Sequence, residues 1–239
     1  MASVAGPLHV KNGIPNQDYC LAKRCKWGNV VAVSDGLGSK IHSDRGSKEA
    51  CRAVFEAARC YSNRDMGGFD SQTIDILQAI HTNWLVKIAP LSPYDCSATC
   101  LFAFLYREEI MLGRLGDGMI AALGKSDKDN LILSENKQDS FSNCTECLQE
   151  EFMPDKWEVK IIDSNEYDAI LLCTDGISDD LVPEKTIAFS QELHRAYVNM
   201  SPRRVTRDIK RWLNAWPTPG HSDDKTIACL FRRSALGYE

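Results

Sequence analysis

Apolar, strand-like runs in this chain end on an aspartate at several widely separated places, and that repetition constrains the chain more than any other feature. Val30, Val31, Ala32 and Val33 lead into Ser34, Asp35 and Gly36. Residues 110–116 lead into Asp117 and Gly118, and residues 169–174 into Asp175 and Gly176. A further acidic pair, Asp223 and Asp224, directly precedes the apolar stretch 226–231. A single Asp-Gly after an apolar run is an ordinary hairpin-turn signal. Aspartates at four strand ends read instead as one site assembled from distant segments.

Such a site has an electrostatic problem. Two like charges about 4 Å apart repel by about 4 kcal/mol at an effective dielectric near 20. The carboxylates must therefore be partly protonated or hold cations among them. Aspartate oxygens without clustered His or Cys suit hard ions, Mg²⁺ or Mn²⁺ in octahedral coordination, better than zinc. Two such ions about 3.5 to 4 Å apart can hold a bridging water, lower its pKa and clamp a phosphoryl group. The residues point to a binuclear hydrolase.

The chain has 239 residues, and no Pro-, Gly- or Ser-rich linker divides it, so a single domain over 1–239 is expected. A net charge of −5 argues against a general nucleic-acid binder. The first residues lack a basic stretch followed by an apolar one, no run reaches the roughly 18 apolar residues of a membrane span, and Ala2 rules against N-myristoylation. A cytoplasmic protein without membrane attachment is expected. Cys51, Cys100, Cys173 and Cys229 sit among small and apolar neighbours as buried, reduced thiols do. Cys144 and Cys147 form a lone CxxC, short of the four ligands of structural zinc.

Periodicity then supplies the elements. Strands are expected at 19–23 and 30–35, and a helix from Ser43 or Asp44 with Ala50, Val54, Ala57 and Ala58 at helical spacing. The intervening GLGSK lacks the spacing of nucleotide-binding loops. A helix over 70–89 places Ile74, Leu77, Trp84, Leu85 and Ile88 on one face, with His81 there as a packed side chain. Strands at 98–106, 109–116, 118–124 and 130–134 have very short connections and so should pair antiparallel. Residues 135–156 read as a loop with one short helix near 145–152, either a flap over a site or a solvated connection. Strands at 157–163, 169–175 and 226–231, and helices at 183–198 and 202–216, complete the chain. In the last helix, Arg203, Arg207 and Arg211 lie opposite Val205, Ile209, Trp212 and Trp216, and read as a solvated face.

Six segments, NQD at 16–18, SDGLGS at 34–39, SATCLFAFL at 97–105, GDG at 116–118, CTDGISDDL at 173–181 and SDDKTIACL at 222–230, match a known family in order. They resemble the motifs of metal-dependent serine/threonine protein phosphatases, the protein phosphatase 2C or PPM family. With His9 and Pro15-x-Gln17-Asp18 the pattern looks like a compact bacterial branch. The resemblance implies an α+β fold, a four-layer α-β-β-α sandwich of two antiparallel sheets flanked by helices. It implies a catalytic set of Asp18, Asp35, Asp175 and Asp223. Asp35 would bridge two Mn²⁺ or Mg²⁺ ions, the Gly36 carbonyl would bind one, and Asp175 and Asp223 would complete the shell of the other. Asp18 would act through metal waters, and Asp117 would serve a third ion. A bridging hydroxide would attack phosphoserine or phosphothreonine without a phosphoenzyme. The implied partners are phosphorylated proteins and a cognate Ser/Thr kinase or its targets.

The chain departs from the family at three points. No Arg precedes residues 16–18, where many members grip phosphate, so Lys11 or His9 must substitute. Leu37 stands where animal members carry a His proposed as general acid, which leaves a metal water or a group such as His42. Gly118 and Met119 replace the usual Ser-Arg. Two other readings remain: a pseudophosphatase that binds partners or phosphopeptides with weak or no turnover, and a two-metal hydrolase of nucleotides or small phosphates.

Overall fold

The computed structural model describes residues 1–63, 68–134, 145–216 and 222–232. In chain order the elements are β1 (Ala2–Val4), α1 (Pro7–Asn12), β2 (Tyr19–Arg24), β3 (Gly28–Ser34), α2 (Ser43–Asn63), α3 (Thr73–Ile88), β4 (Cys100–Tyr106) and β5 (Glu109–Leu115). These are followed by β6 (Met119–Gly124), β7 (Leu131–Ser134), β8 (Glu158–Asp163), β9 (Tyr167–Cys173), α4 (Asp175–Ser178), α5 (Thr186–Tyr197), α6 (Pro202–Asn214) and β10 (Lys225–Phe231).

Strands buried on both faces are apolar along nearly their whole length, and β3, β4, β6 and β9 are of this kind. They form two antiparallel five-stranded sheets, one ordered β1-β10-β9-β6-β7 and the other β2-β3-β4-β5-β8. Between the sheets, Val31, Val33, Leu101 and Leu112 pack against Ile120, Leu133, Ile170 and Leu172. Each fully buried side chain of this size contributes about 1.5–3 kcal/mol relative to exposure. Helices α2 and α3 cover the outer face of the β2–β8 sheet through Val54, Leu77 and Trp84, packed with Val30, Phe102 and Phe104. Helices α5 and α6 cover the other sheet through Leu193, Val205, Ile209 and Leu213. This is the four-layer α-β-β-α sandwich implied by the motifs.

The structure corrects four expectations of the sequence. The runs 109–116 and 118–124 do not pair, because β5 and β6 belong to different sheets. The turn between them contains Gly116 at φ 95° and Gly118 at φ 89°, left-handed conformations that carry the chain from one sheet to the other. Ile74 is 52% exposed, and the buried face of α3 is Ile76, Leu77, Ile80, His81, Trp84 and Ile88. No helix forms over 145–152; Leu148 is buried there and its N–H bonds the Ala98 carbonyl at 2.8 Å. Residues 135–144 of the expected loop, with Cys144, lie outside the described residues. Asp175 does not end a strand but opens α4. The elements β1 and α1 were not legible, being too short to show a period.

Register gives the fold its functional consequence. Tyr19 faces Ser34, Cys100 faces Leu115, and Cys173 faces both Met119 and Ile227. The turns around residues 18, 35, 117, 175 and 223 therefore gather at one end of the sandwich.

Helix α2 makes a close backbone approach that tests this packing. A Cβ on Gly46 would lie 1.8 Å from the Cys96 carbonyl oxygen, and the Gly46 carbonyl accepts the Trp84 Nε1–H at 3.1 Å. Gly46→Ala should destabilise the fold by at least about 2 kcal/mol in urea unfolding. Gly38→Ala, whose Cβ meets nothing closer than 3.7 Å, should be close to neutral.

Candidate metal centre

The β2–β3 pairing sets Asp18 and Asp35 side by side, and their carboxyl groups share a hydrogen bond. Asp35 is fixed by Thr99: the Asp35 N–H donates to Thr99 Oγ1 at 2.9 Å, and the Asp35 carbonyl accepts the Thr99 N–H at 2.8 Å. Asp18 is buried and accepts from Thr174 Oγ1 at 2.8 Å. Thr174 also immediately precedes α4, which presents Asp175. A strand pairing, a strand start and a helix start thus aim three carboxyl groups at one place.

Their electrostatics record the crowding. Burial pushes the Asp18 carboxyl up to about 7, against hydrogen bonds from Asp35 and Thr174 that pull it down. Burial and then the charges of Asp117, Asp223 and Asp18 push Asp175 up to about 8. Burial, followed by the charges of Asp18 and Asp175, holds Asp35 well above the usual carboxylate range. Asp35, Asp117 and Asp175 each offer a carboxylate oxygen, and these oxygens lie within 4.8 Å of one another. It is the only such convergence of His, Cys, Asp or Glu groups among the described residues. An all-oxygen set short of positive charge fits Mg²⁺ or Mn²⁺.

The remaining expected residues fall around this trio. Asp223 lies outside it, but its charge acts on both Asp35 and Asp175. The buried Lys225 ammonium donates to the Asp223 carbonyl at 3.0 Å. Asp224 has a different part: it accepts the Gly6 N–H at 2.7 Å and the Gln17 N–H at 2.6 Å, and meets His9 Nδ1 at 2.9 Å. It ties α1 and the start of β2 to the site end. His9 is thereby anchored on Asp224, whereas Lys11, two residues on along the same helix, is exposed. Gly36 donates its N–H to the Gln17 carbonyl at 3.1 Å, and His42 is tied by its backbone N–H to Asp95 at 2.9 Å. Thr145 Oγ1 donates to Asp117 Oδ2 at 2.9 Å, so the described part of the 135–156 stretch reaches the site. Thr99 and Thr174 lie inside two of the matched motifs, SATCLFAFL and CTDGISDDL, and the sequence alone assigns neither of them a role.

A pH dependence follows. Asp18 and Asp175 rise from 3.8 to about 7 and about 8, so without metal the folded chain retains protons that the unfolded chain has already released. Such a group favours the fold at low pH, and that contribution is lost as pH rises through its folded pKa. In chelator, the unfolding free energy measured in urea should fall from pH 5 to pH 8, with a limiting slope of about 1.4 kcal/mol per pH unit for each proton. Added Mn²⁺ should restore stability at pH 8. A flat profile in chelator would contradict the crowding.

The family model for protein phosphatase 2C matches residues 5–214, a span that stops short of Asp223 and β10. Solved structures share the fold. A bacterial serine phosphatase aligns over 95% of this chain and 94% of its own, at 15% identity and TM-score 0.64. The serine/threonine phosphatase Stp1 from Staphylococcus aureus aligns over 92% and 90%, at 13% identity and TM-score 0.62. The catalytic domain of the serine/threonine protein phosphatase PstP, solved in complex with two manganese ions, aligns over 95% and 94%, at 16% identity and TM-score 0.58. Comparison with curated protein sequences gives no match. A family match over most of the chain, on the two-sheet sandwich that its motifs implied, makes this protein a member of the protein phosphatase 2C family, the serine/threonine protein phosphatases that use Mn²⁺ or Mg²⁺.

Proposed function

We propose that the chain hydrolyses phosphoserine and phosphothreonine in proteins at the carboxylate cluster, with Asp18, Asp35, Asp175 and Asp223 as its catalytic set. The observation that carries this reading is the convergence of Asp35, Asp117 and Asp175 oxygens within 4.8 Å at the shared end of the sheets. Asp35, Asp175, Asp223 and the Gly36 carbonyl would hold two ions, Asp18 would act through water, and Asp117 would serve a third ion. When bound, such ions would supply neutralising charge and lower the pKa of a coordinated water enough for it to attack phosphorus.

The chain's own groups do the positioning. Thr99 holds the Asp35 backbone and Thr174 orients the Asp18 carboxyl. With no Arg ahead of residues 16–18, His9, whose Nδ1 meets Asp224 at 2.9 Å, takes its place toward the phosphate. Lys11 is the alternative, and His42 or a water protonates the leaving group. The span 1–239 acts as one catalytic domain in cytoplasmic signalling, on phosphoproteins and opposite a Ser/Thr kinase. Among the described residues no helix is long and apolar enough to cross a membrane. The missing Arg favours one other reading, a pseudophosphatase that binds phosphopeptides without turnover.

Hydrolysis of an aryl phosphate and of a phosphothreonine peptide, with Mn²⁺ and with chelator, separates the two. Turnover should require the metal, and Asp35→Asn or Asp223→Asn should each lower kcat/KM by about 10³-fold or more with the fold retained. Near-wild-type activity in either variant would mean that the ligands are misassigned. No metal-dependent turnover by the wild type would leave the pseudophosphatase.

A further inference from the structure

Helix α6 buries Val205, Ile209 and Leu213 on the sheet and turns Arg203, Arg204, Arg207, Lys210 and Arg211 to solvent. Its only acidic residue, Asp208, is shared by Arg204, Arg207 and Arg211 at 3.8, 3.8 and 2.8 Å. Among the described residues, neither Arg203 nor Lys210 forms an ion pair. This excess of positive charge sits on a chain whose net charge is −5.

The arrangement also works against the helix that carries it. Arg203 and Arg204 lie in the first turn, where the helix dipole is already positive, with no acidic residue there and no side-chain cap from Ser201. Arg203, Arg207 and Arg211 repeat at the four-residue spacing at which like charges repel. A face needed only for solubility is better served by alternating signs. Unfavourable charges kept together on a rigid element are explained by an anionic partner that offsets them.

The two ends of α6 indicate where that partner lies. Beside its N-terminal end is a groove of ≈ 590 Å³, floored by Val31, Val205, Cys229 and Leu230 and edged by the exposed Lys23 and Arg24 of β2. At the other end, Trp216 Nε1 donates to Asp180 Oδ2 at 2.6 Å, and Asp180 lies two residues beyond α4, whose first residue is Asp175. Thirteen residues of helix span about 20 Å, the length of about six extended residues.

We propose that the outer face of α6, continued by Lys23 and Arg24, docks an acidic segment of about six residues in the phosphoprotein substrate. This rests on the function proposed above and adds a substrate class to it: phosphoproteins whose phosphorylated residue is flanked by Asp and Glu. The apolar side of α6 is committed to the core and cannot insert into a bilayer. The acidic remainder of the chain disfavours an extended polyanion such as nucleic acid.

The test uses two fluorescein-labelled phosphothreonine peptides, one with six flanking Asp and Glu residues and one with Asn and Gln in their place. Anisotropy in chelator reads docking without turnover. The wild type should bind the acidic peptide about tenfold tighter than the neutral one, less so as salt rises. The triple variant Arg203→Gln, Arg207→Gln, Arg211→Gln should lose most of that preference. The same variant should keep its melting temperature or gain, hydrolyse p-nitrophenyl phosphate within about twofold of wild type, and lose kcat/KM on the acidic peptide through KM. Equal binding of the acidic peptide by wild type and variant would overturn the proposal. So would tighter binding of single-stranded polyuridine or of phosphatidylserine vesicles than of the peptide. If wild type fails on p-nitrophenyl phosphate, the phosphatase reading falls, and the chelator arm still decides the docking.

Discussion

Mutual repulsion among buried carboxylates is the constraint on which the rest of this structure depends. Left to themselves, Asp18, Asp35 and Asp175 hold their protons to far higher pH than free aspartate does, because water has been taken away and like charges put near. Only a rigid frame could impose that. Two five-stranded sheets with helices on both outer faces provide it, and antiparallel register brings the relevant turns to the same end.

The frame is strong where it must resist. Thr99 clamps the Asp35 backbone through its hydroxyl and its N–H, Thr174 fixes Asp18, and Asp224 draws in Gly6, His9 and Gln17. These contacts link residues up to 218 apart in the chain, so the centre closes only when both ends of the sequence are in place. Family membership supplies the ions that such a cluster calls for, and the local geometry gives the physical reason it calls for them.

Much of this was legible in the sequence, and the misses have physical causes. Long apolar runs announced the central strands, and aspartates recurring after them announced a shared site. What periodicity cannot carry is the partner of a strand: the short GDG connection looked like a hairpin, yet its two left-handed glycines send β5 and β6 to different sheets. Asp223 and Asp224 looked like one acidic pair, but adjacent residues leave the backbone in different directions. The charge of Asp223 acts on Asp35 and Asp175 and that of Asp224 on Asp18, but only Asp224 also takes three contacts from the N-terminal segment. Thr99 and Thr174 stand inside matched motifs, but a hydroxyl that orients an aspartate has no signature of its own in the sequence. On α6 the sequence showed the basic stripe and gave no hint of the groove at its start or of the Trp216–Asp180 contact at its end.

The central claim, that the fold crowds these aspartates until divalent cations replace protons, is tested most directly by calorimetric titration of Mn²⁺ into chelator-stripped protein near pH 7. Repeating the titration in buffers of different ionisation enthalpy counts the protons exchanged. Binding should release protons into the buffer, as the carboxyl groups held up near 7 and 8 give way to the metal. Mn²⁺ binding without proton release, or no binding at all, would contradict the account.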